Sequence, residues 1–315
     1  MKNLALLFLL ALLYGCGSTS SNAQSYWKNL TPFTSDFSTH NLTMSALFAS
    51  KGAARGDVNL TEASGLAISQ INPNGIWSHN DSGNQNRIYL LDKLTGKILA
   101  TYQIDGTRNV DWEDIEVGPG PKGGVSYVYL SDLGDNKLHR IDYKIYRFPE
   151  PQYLPEQQGE LIEYTGPVDT LRIAYPSDDP HHNVESLLLD PMYRDLYIVT
   201  KFETNSKLFV DPYPQSTSDT NHVQLVGTFP FRMATAGDIS ADGSEIFIKN
   251  YDYIYYWKRS GSERVSQVLA GVPERAPYNP VEPQGEAIAV DSNGYYTTSE
   301  FKDSITPVLY FYKRK

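Results

Sequence analysis

The chain has 315 residues, 27 Lys and Arg against 37 Asp and Glu, a formal net charge of −10, and a single cysteine. An acidic chain without a basic run is a poor partner for nucleic acid, and one cysteine excludes an internal disulfide. Surplus carboxylates are compatible with divalent cations.

Lys2 precedes an unbroken apolar run from Leu4 to Tyr14. That run is too short to span a bilayer and reads as the core of a signal peptide. Leu13-Tyr14-Gly15-Cys16 resembles the lipobox of bacterial lipoproteins, with Tyr14 bulkier than the usual small residue. The resemblance implies cleavage before Cys16, acylation of Cys16, and a lipid-membrane partner in the bacterial cell envelope, on the periplasmic or surface side. Losing residues 1–15 removes one Lys, so 26 basic residues would face 37 acidic ones. Residues 17–24 are rich in Ser, Gly and Asn and read as a flexible tether. The expected organisation is therefore a signal peptide at 1–15, a lipidated tether at 16–24 and one domain at 25–315.

Within that domain one pattern recurs five times. A short strand opening on a polar or small residue is followed by a turn and an apolar strand ending on a polar residue. Ser64 leads to Asp81, Glu113 to Asp132, Glu185 to Lys201, Gly237 to Asn250, and Glu286 to Glu300. The strand starts are spaced by 49, 72, 52 and 49 residues. A period of about 50 residues with several strands per unit is the signature of a β-propeller. The excess in the second interval is too small for another blade. Pro149 to Gln158 and Tyr175 to Asn183 account for it, so five four-stranded blades are expected, with six as the alternative. Helical periodicity is absent, and the domain is expected to be almost purely β and monomeric.

Further strands are read at Arg87 to Leu91, Ile98 to Ile104, Lys144 to Phe148, Lys207 to Val210, His222 to Val226 and Tyr253 to Trp257. Alternation suggests a strand at Ser45 to Ser50. The last unit ends at Lys315 after only three strands, so an N-terminal strand is expected to complete it and remove the open edges. A Pro-rich loop, Val272 to Gln284, runs into Glu286 and should overhang the ring.

In a propeller the first strand of each blade lies nearest the axis, and its start meets the end of the second strand on one face. Two rings of side chains follow. Ser64, Glu113, Glu185, Gly237 and Glu286 form the inner one, with Asp81, Asp132, Lys201, Asn250 and Glu300 beside it. Three glutamates converging on an axis must take up protons or hold a cation. Oxygen donors in flexible geometry suit calcium, with Ser64 and Gly237 completing the shell through carbonyls or waters. The competing reading leaves the glutamates solvated, or pairs one with Lys201.

This inner pattern resembles the five-bladed calcium-activated nucleotidases (apyrases). Ala63-Ser64-Gly65-Leu66-Ala67 and Gln284-Gly285-Glu286-Ala287-Ile288 resemble the phytase-like propeller proteins with esterase-like activity. The resemblance implies a central calcium. The basic residues read onto the face are Lys201, Lys249 and Arg108, without an arginine cluster to grip a polyphosphate.

Two function classes follow. In a hydrolase, Asp81, Asp132 or Glu300 would orient or deprotonate water, Lys201 would neutralise developing charge, and His79 is a lesser candidate for base or ligand. In a binding protein, calcium would only lock the ring while tyrosine-bearing loops recognise a sugar, peptide or other small molecule. The location of the acids decides: catalysis needs them open to water, a purely structural ring buries them. His181 and His182 read as a polar loop near the face, and no phosphate loop, nucleophile elbow or zinc pattern occurs.

Overall fold

Apolar residues alternating with polar ones, punctuated by Asp-Gly and Asn-Gly pairs, dictate short strands joined by tight turns. The computed structural model describes residues 26–202 and 204–315, so Cys16 and the whole leader lie outside the described residues. Residues 26–32 belong to a first compact unit, of which Tyr26–Lys28 form a helical turn. Phe33–Lys315 make up the second. No helix among the described residues is long and apolar enough to cross a membrane.

The second unit contains five sheets. Blade one runs outward through Ala63–Ile68, Gly75–Asn80, Arg87–Asp92 and Ile98–Ile104. Blade two comprises Asp114–Pro119, Ser126–Asp132, Tyr143–Pro149 and Asp169–Ala174. Blade three comprises Val184–Leu189, Leu196–Thr200, Lys207–Asp211 and Gln224–Thr228. Blade four comprises Ala234–Ile239, Glu245–Asn250, Ile254–Lys258 and Glu274–Ala276. Blade five comprises Ala287–Asp291, Gly294–Thr298 and Val308–Lys313, completed by Ala53–Asp57. The innermost strand of each blade lies against those of the preceding and following blades, and the fifth returns to the first. This is a five-bladed β-propeller.

Closure follows the expected logic with a different strand. Ala53–Asp57 pairs antiparallel with Val308–Lys313. The alternation at 45–50 does not make a strand: Met44 and Phe48 form only isolated bridges, to Arg275 and Arg314. Phe48 instead buries its ring among Phe247, Tyr256 and Tyr295.

Three blades carry a fifth strand that the repeat does not announce. Leu161–Tyr164 runs parallel to the outer strand of blade one, Asn221–His222 to that of blade two, and Phe33–Thr34 to that of blade three. Each comes from a different part of the chain and covers an edge that would otherwise offer unpaired N–H and C=O groups. A five-residue helix, Val265–Leu269, is the other departure from the expected pattern, and Glu274–Ala276 shows that the Pro-rich loop is in part a strand.

Apolar clusters fill the spaces between blades. Trp77, Trp112, Val128 and Phe148 pack between blades one and two, and Tyr129, Leu187, Ile198 and Phe209 between two and three. Stacked Phe229, Phe231 and Tyr255 serve blades three and four.

The innermost strands are also stitched by carboxylates. Asp114 accepts hydrogen bonds from the backbone of Leu187 at 2.8 Å and Gly237 at 3.4 Å, so one side chain of blade two holds blades three and four. Asp238 accepts one from Val290 at 2.6 Å, joining blade four to blade five. These bonds satisfy N–H groups of the inner strands that are buried between blades.

Candidate functional site

The starts of the inner strands and the ends of the second strands do meet on one face, because the pairs are antiparallel: Ala63 opposes Asn80, Asp114 opposes Ser131, Val184 opposes Thr200, and Ala287 opposes Thr298. Local bulges then aim the functional side chains. Glu185 is the extra residue of a bulge between Val184 and Ser186, and blades one and four have matching bulges at Gly65 and Thr235. A bulge re-aims a side chain without breaking the ladder.

This register moves two members of the expected inner ring. Gly65, at φ 67°, holds the bulge position in blade one, where an added Cβ would come within 2.8 Å of the Ile115 nitrogen. Ser64 instead donates its hydroxyl to the Glu113 carbonyl at 2.7 Å, tying blade one to blade two. In blade four Thr235 takes the position, and Gly237 lies two residues deeper, opposite Ile248 and against Asp114. Gly237 therefore forms no part of the mouth.

Glu113, Glu185 and Glu286 are 2–3% exposed. Burial pushes the Glu113 and Glu185 carboxyls well above the usual range, and repulsion adds to it, from Glu185 at Glu113 and from Glu286 at Glu185. Lys201 answers that charge. Its ammonium forms ion pairs with Glu185 and, at 3.2 Å, with Glu286, while Tyr251 donates its hydroxyl to Glu286. Burial alone would lower the Lys201 pKa, but the two glutamates outweigh it and raise it.

A second group of acids surrounds Asp81. Carboxylate oxygens of Asp81, Glu286 and Glu300 lie within 4.8 Å of one another, and so do those of Asp81, Asp111 and Glu113. Asp81 is common to both sets. Burial, then repulsion from Glu286 and Asp111, raises Asp81 to about 7, and burial with Glu286 raises Glu300 to about 8. Both side chains remain only half-buried, so they are the members of the cluster that face water. Gly134 makes the crowding possible: a Cβ there would collide with the Glu113 and Asp111 carboxylates.

The remaining candidates stand apart. Asp132 is fully buried, accepts a hydrogen bond from the Asp111 backbone at 3.0 Å and pairs with Arg140 at 3.0 Å. His79 is fully buried, edge-on to Trp112, with Nδ1 bonded to the Asn80 carbonyl at 3.0 Å. Burial lowers its pKa to about 4, so it is neutral in ordinary buffers. Asn250 caps its own turn, accepting from Asp252 and Tyr253. His181 contacts the Arg140 carbonyl. Lys249 lies behind the ring over the Tyr278 ring and donates to the Gly285 carbonyl. Arg108 contributes backbone contacts to Trp112 and Tyr146.

Three participants escaped the sequence reading. Asp111 stands two residues before Glu113 and Tyr251 directly follows Asn250, so both were within reach of the repeat alignment. Arg140 sits eight residues beyond Asp132 in an irregular loop, and nothing in the spacing marks it.

No family model matches the chain, and no curated protein matches it. Among solved structures it is similar to the β-propeller domain of Cps50 (Swd1) from Myceliophteria thermophila, at 12% identity and a TM-score of 0.39, covering 79% of this chain and 82% of that one. A structure of a nidogen/laminin complex aligns at 12% identity and a TM-score of 0.37, covering 75% of this chain and 72% of that one.

Proposed function

We propose that the chain binds one divalent cation, calcium, at the mouth of its ring, and that this centre supports hydrolysis of an ester or phosphoester. The observation that carries the reading is the position of Asp81, whose carboxylate lies within ligand distance of two acidic groups at once. Six carboxylates (Asp81, Asp111, Glu113, Glu185, Glu286 and Glu300) share this mouth, and the ammonium of Lys201 is committed to two of them. An all-oxygen donor set suits calcium better than a metal preferring nitrogen or sulfur.

Asp81, Glu286, Glu300, Asp111 and Glu113 would hold the ion, while Glu185 stays with Lys201. When bound, calcium would supply Lewis acidity toward a substrate oxygen and lower the pKa of attached water. The chain's own part is positioning. Glu300 and Asp81 face water and are the groups able to accept a proton from it, and Lys201 places a fixed positive charge against Glu185 and Glu286 of the same mouth. Asp132 and His79 are engaged in structural contacts and take no part.

The ion pairs of Lys201 with Glu185 and Glu286 favour a second reading, a non-catalytic calcium that locks the ring under a ligand-binding face. Activity separates the two. Ester and phosphoester p-nitrophenyl substrates should be turned over by wild type with calcium, and at least about tenfold more slowly by Asp81→Asn or with chelator. Calcium binding without turnover leaves the structural reading.

We further propose that acylated Cys16 anchors the protein to a membrane outside the cytoplasm, as its lipobox-like context supports. In a bacterial host the wild type should fractionate with membranes and Cys16→Ser should not. A soluble wild type with a mature terminus beyond Cys16 contradicts this.

A further inference from the structure

At the opposite end of the ring the inner strands of blades one, two, four and five open into a cavity of about 640 Å³. Its size falls in the range of small-molecule pockets. Glu116 and Asp238 both line it, although they are only 3% and 6% exposed. Glu116 is two residues beyond Asp114 on the same strand face, and Asp238 approaches from blade four. The two carboxyls stand side by side, close enough that repulsion from Asp238 adds to burial at Glu116. Burial, then that repulsion, raises Glu116 well above the usual carboxylate range, so the pair retains a proton. The backbone N–H of Val290 donates to Asp238 at 2.6 Å. Glu116 Oε1 nevertheless has no donor among the described residues.

The other charges around the cavity are engaged. Asp291 pairs with Lys93 at 2.5 Å, Glu245 with Arg314, and Asp242 accepts from Ser240 and Ser244. Glu150, behind the wall, accepts from Ser69 and Trp77, and Asp114 is saturated by backbone N–H groups. Lys258, on the rim, is exposed and has no ion pair among the described residues. The unmet need is thus for a donor-bearing cation at the floor.

We propose that this cavity binds a small molecule through a protonated primary amine, its ammonium seated against Glu116 and Asp238. An ammonium carries three donors and one positive charge, matching an acceptor that lacks a donor within a pair of carboxyls that needs a cation. A neutral hydroxyl compound would bring a donor but leave the proton in place. Calcium asks for six or more oxygens, and two carboxyls, one already bonded to the Val290 N–H, supply too few. On binding, the retained proton leaves to solvent and the ammonium takes its place, so the charge at the floor is conserved. The site is independent of the cation centre at the other mouth, and all tests are run with chelator present.

The probe is 1,4-diaminobutane, titrated calorimetrically into the full chain at pH 8 in two buffers of different ionisation enthalpy, with 1,4-butanediol as the neutral control. Saturable diamine binding, release of up to one proton per ligand, and no heat from the diol are expected. Glu116→Gln should weaken diamine binding at least about tenfold, since a charged hydrogen bond is lost, and Glu286→Gln at the far mouth should not. Absence of saturable diamine binding, equal binding of the diol, or binding without proton release overturns the proposal. If Glu116→Gln fails to fold, the proton count and the diol control in wild type still decide it.

Discussion

The two ends of the ring face the same electrostatic problem and meet it differently. At one, Glu113, Glu185 and Glu286 converge, and a lysine from blade three enters between two of them. At the other, Glu116 and Asp238 stand together without a basic partner among the described residues, and burial raises both carboxyls so that the pair retains a proton. A fixed cation holds its charge at any ordinary pH, whereas a retained proton is lost as pH rises. The difference teaches which mouth is permanently braced and which can exchange its counter-charge for a ligand.

The sharpest way to break the comparison is to remove the fixed cation. Lys201→Met leaves Glu185 and Glu286 buried without their partner, which costs about 3–5 kcal/mol when one member of a buried pair is deleted. The loss should be larger at pH 8 than at pH 5, because at lower pH Glu185, already raised by burial, can take up a proton instead. Denaturant melts at the two pH values measure it, and an unchanged midpoint would show that the pair is not what braces the mouth.

A smaller effect is expected at the other end. Burial raises Asp238 to about 7 and Glu116 well above its usual value. The folded state therefore holds more protons than the unfolded one. The stability this confers is present in acid and is lost as pH rises through the folded value near 7. Glu116→Gln replaces the proton with an amide donor, so it should flatten the decline in melting temperature between pH 5 and pH 8, a change of a few degrees. Parallel pH profiles for variant and wild type would argue against the retained proton.

How much of this was legible in the sequence follows from the same physics. Strand alternation and the period near 50 residues gave five blades because they arise from the pleat and from blade size, both local. The three added edge strands were invisible: two of them are two residues long, and parallel pairing leaves no hairpin signal. The repeat located Glu113, Glu185 and Glu286 because acidic residues at the openings of apolar strands stand out. It slipped by two at Gly237, where a bulge adds Thr235, a residue without charge to mark the position. Asp132 and Lys201 look alike as polar strand ends, yet one is tied to Arg140 and the other reaches the axis. That distinction depends on loop contacts absent from the pattern.

The account turns on Asp81 as the shared ligand of a cation site, and calcium titration of metal-free protein tests this most directly. Elemental analysis first establishes that the protein carries no metal. Calorimetry should then give one saturable calcium per wild-type chain, with affinity reduced at least about tenfold in Asp81→Asn, since a charged ligand is lost. No saturable binding by wild type, or equal binding by Asp81→Asn, would contradict it.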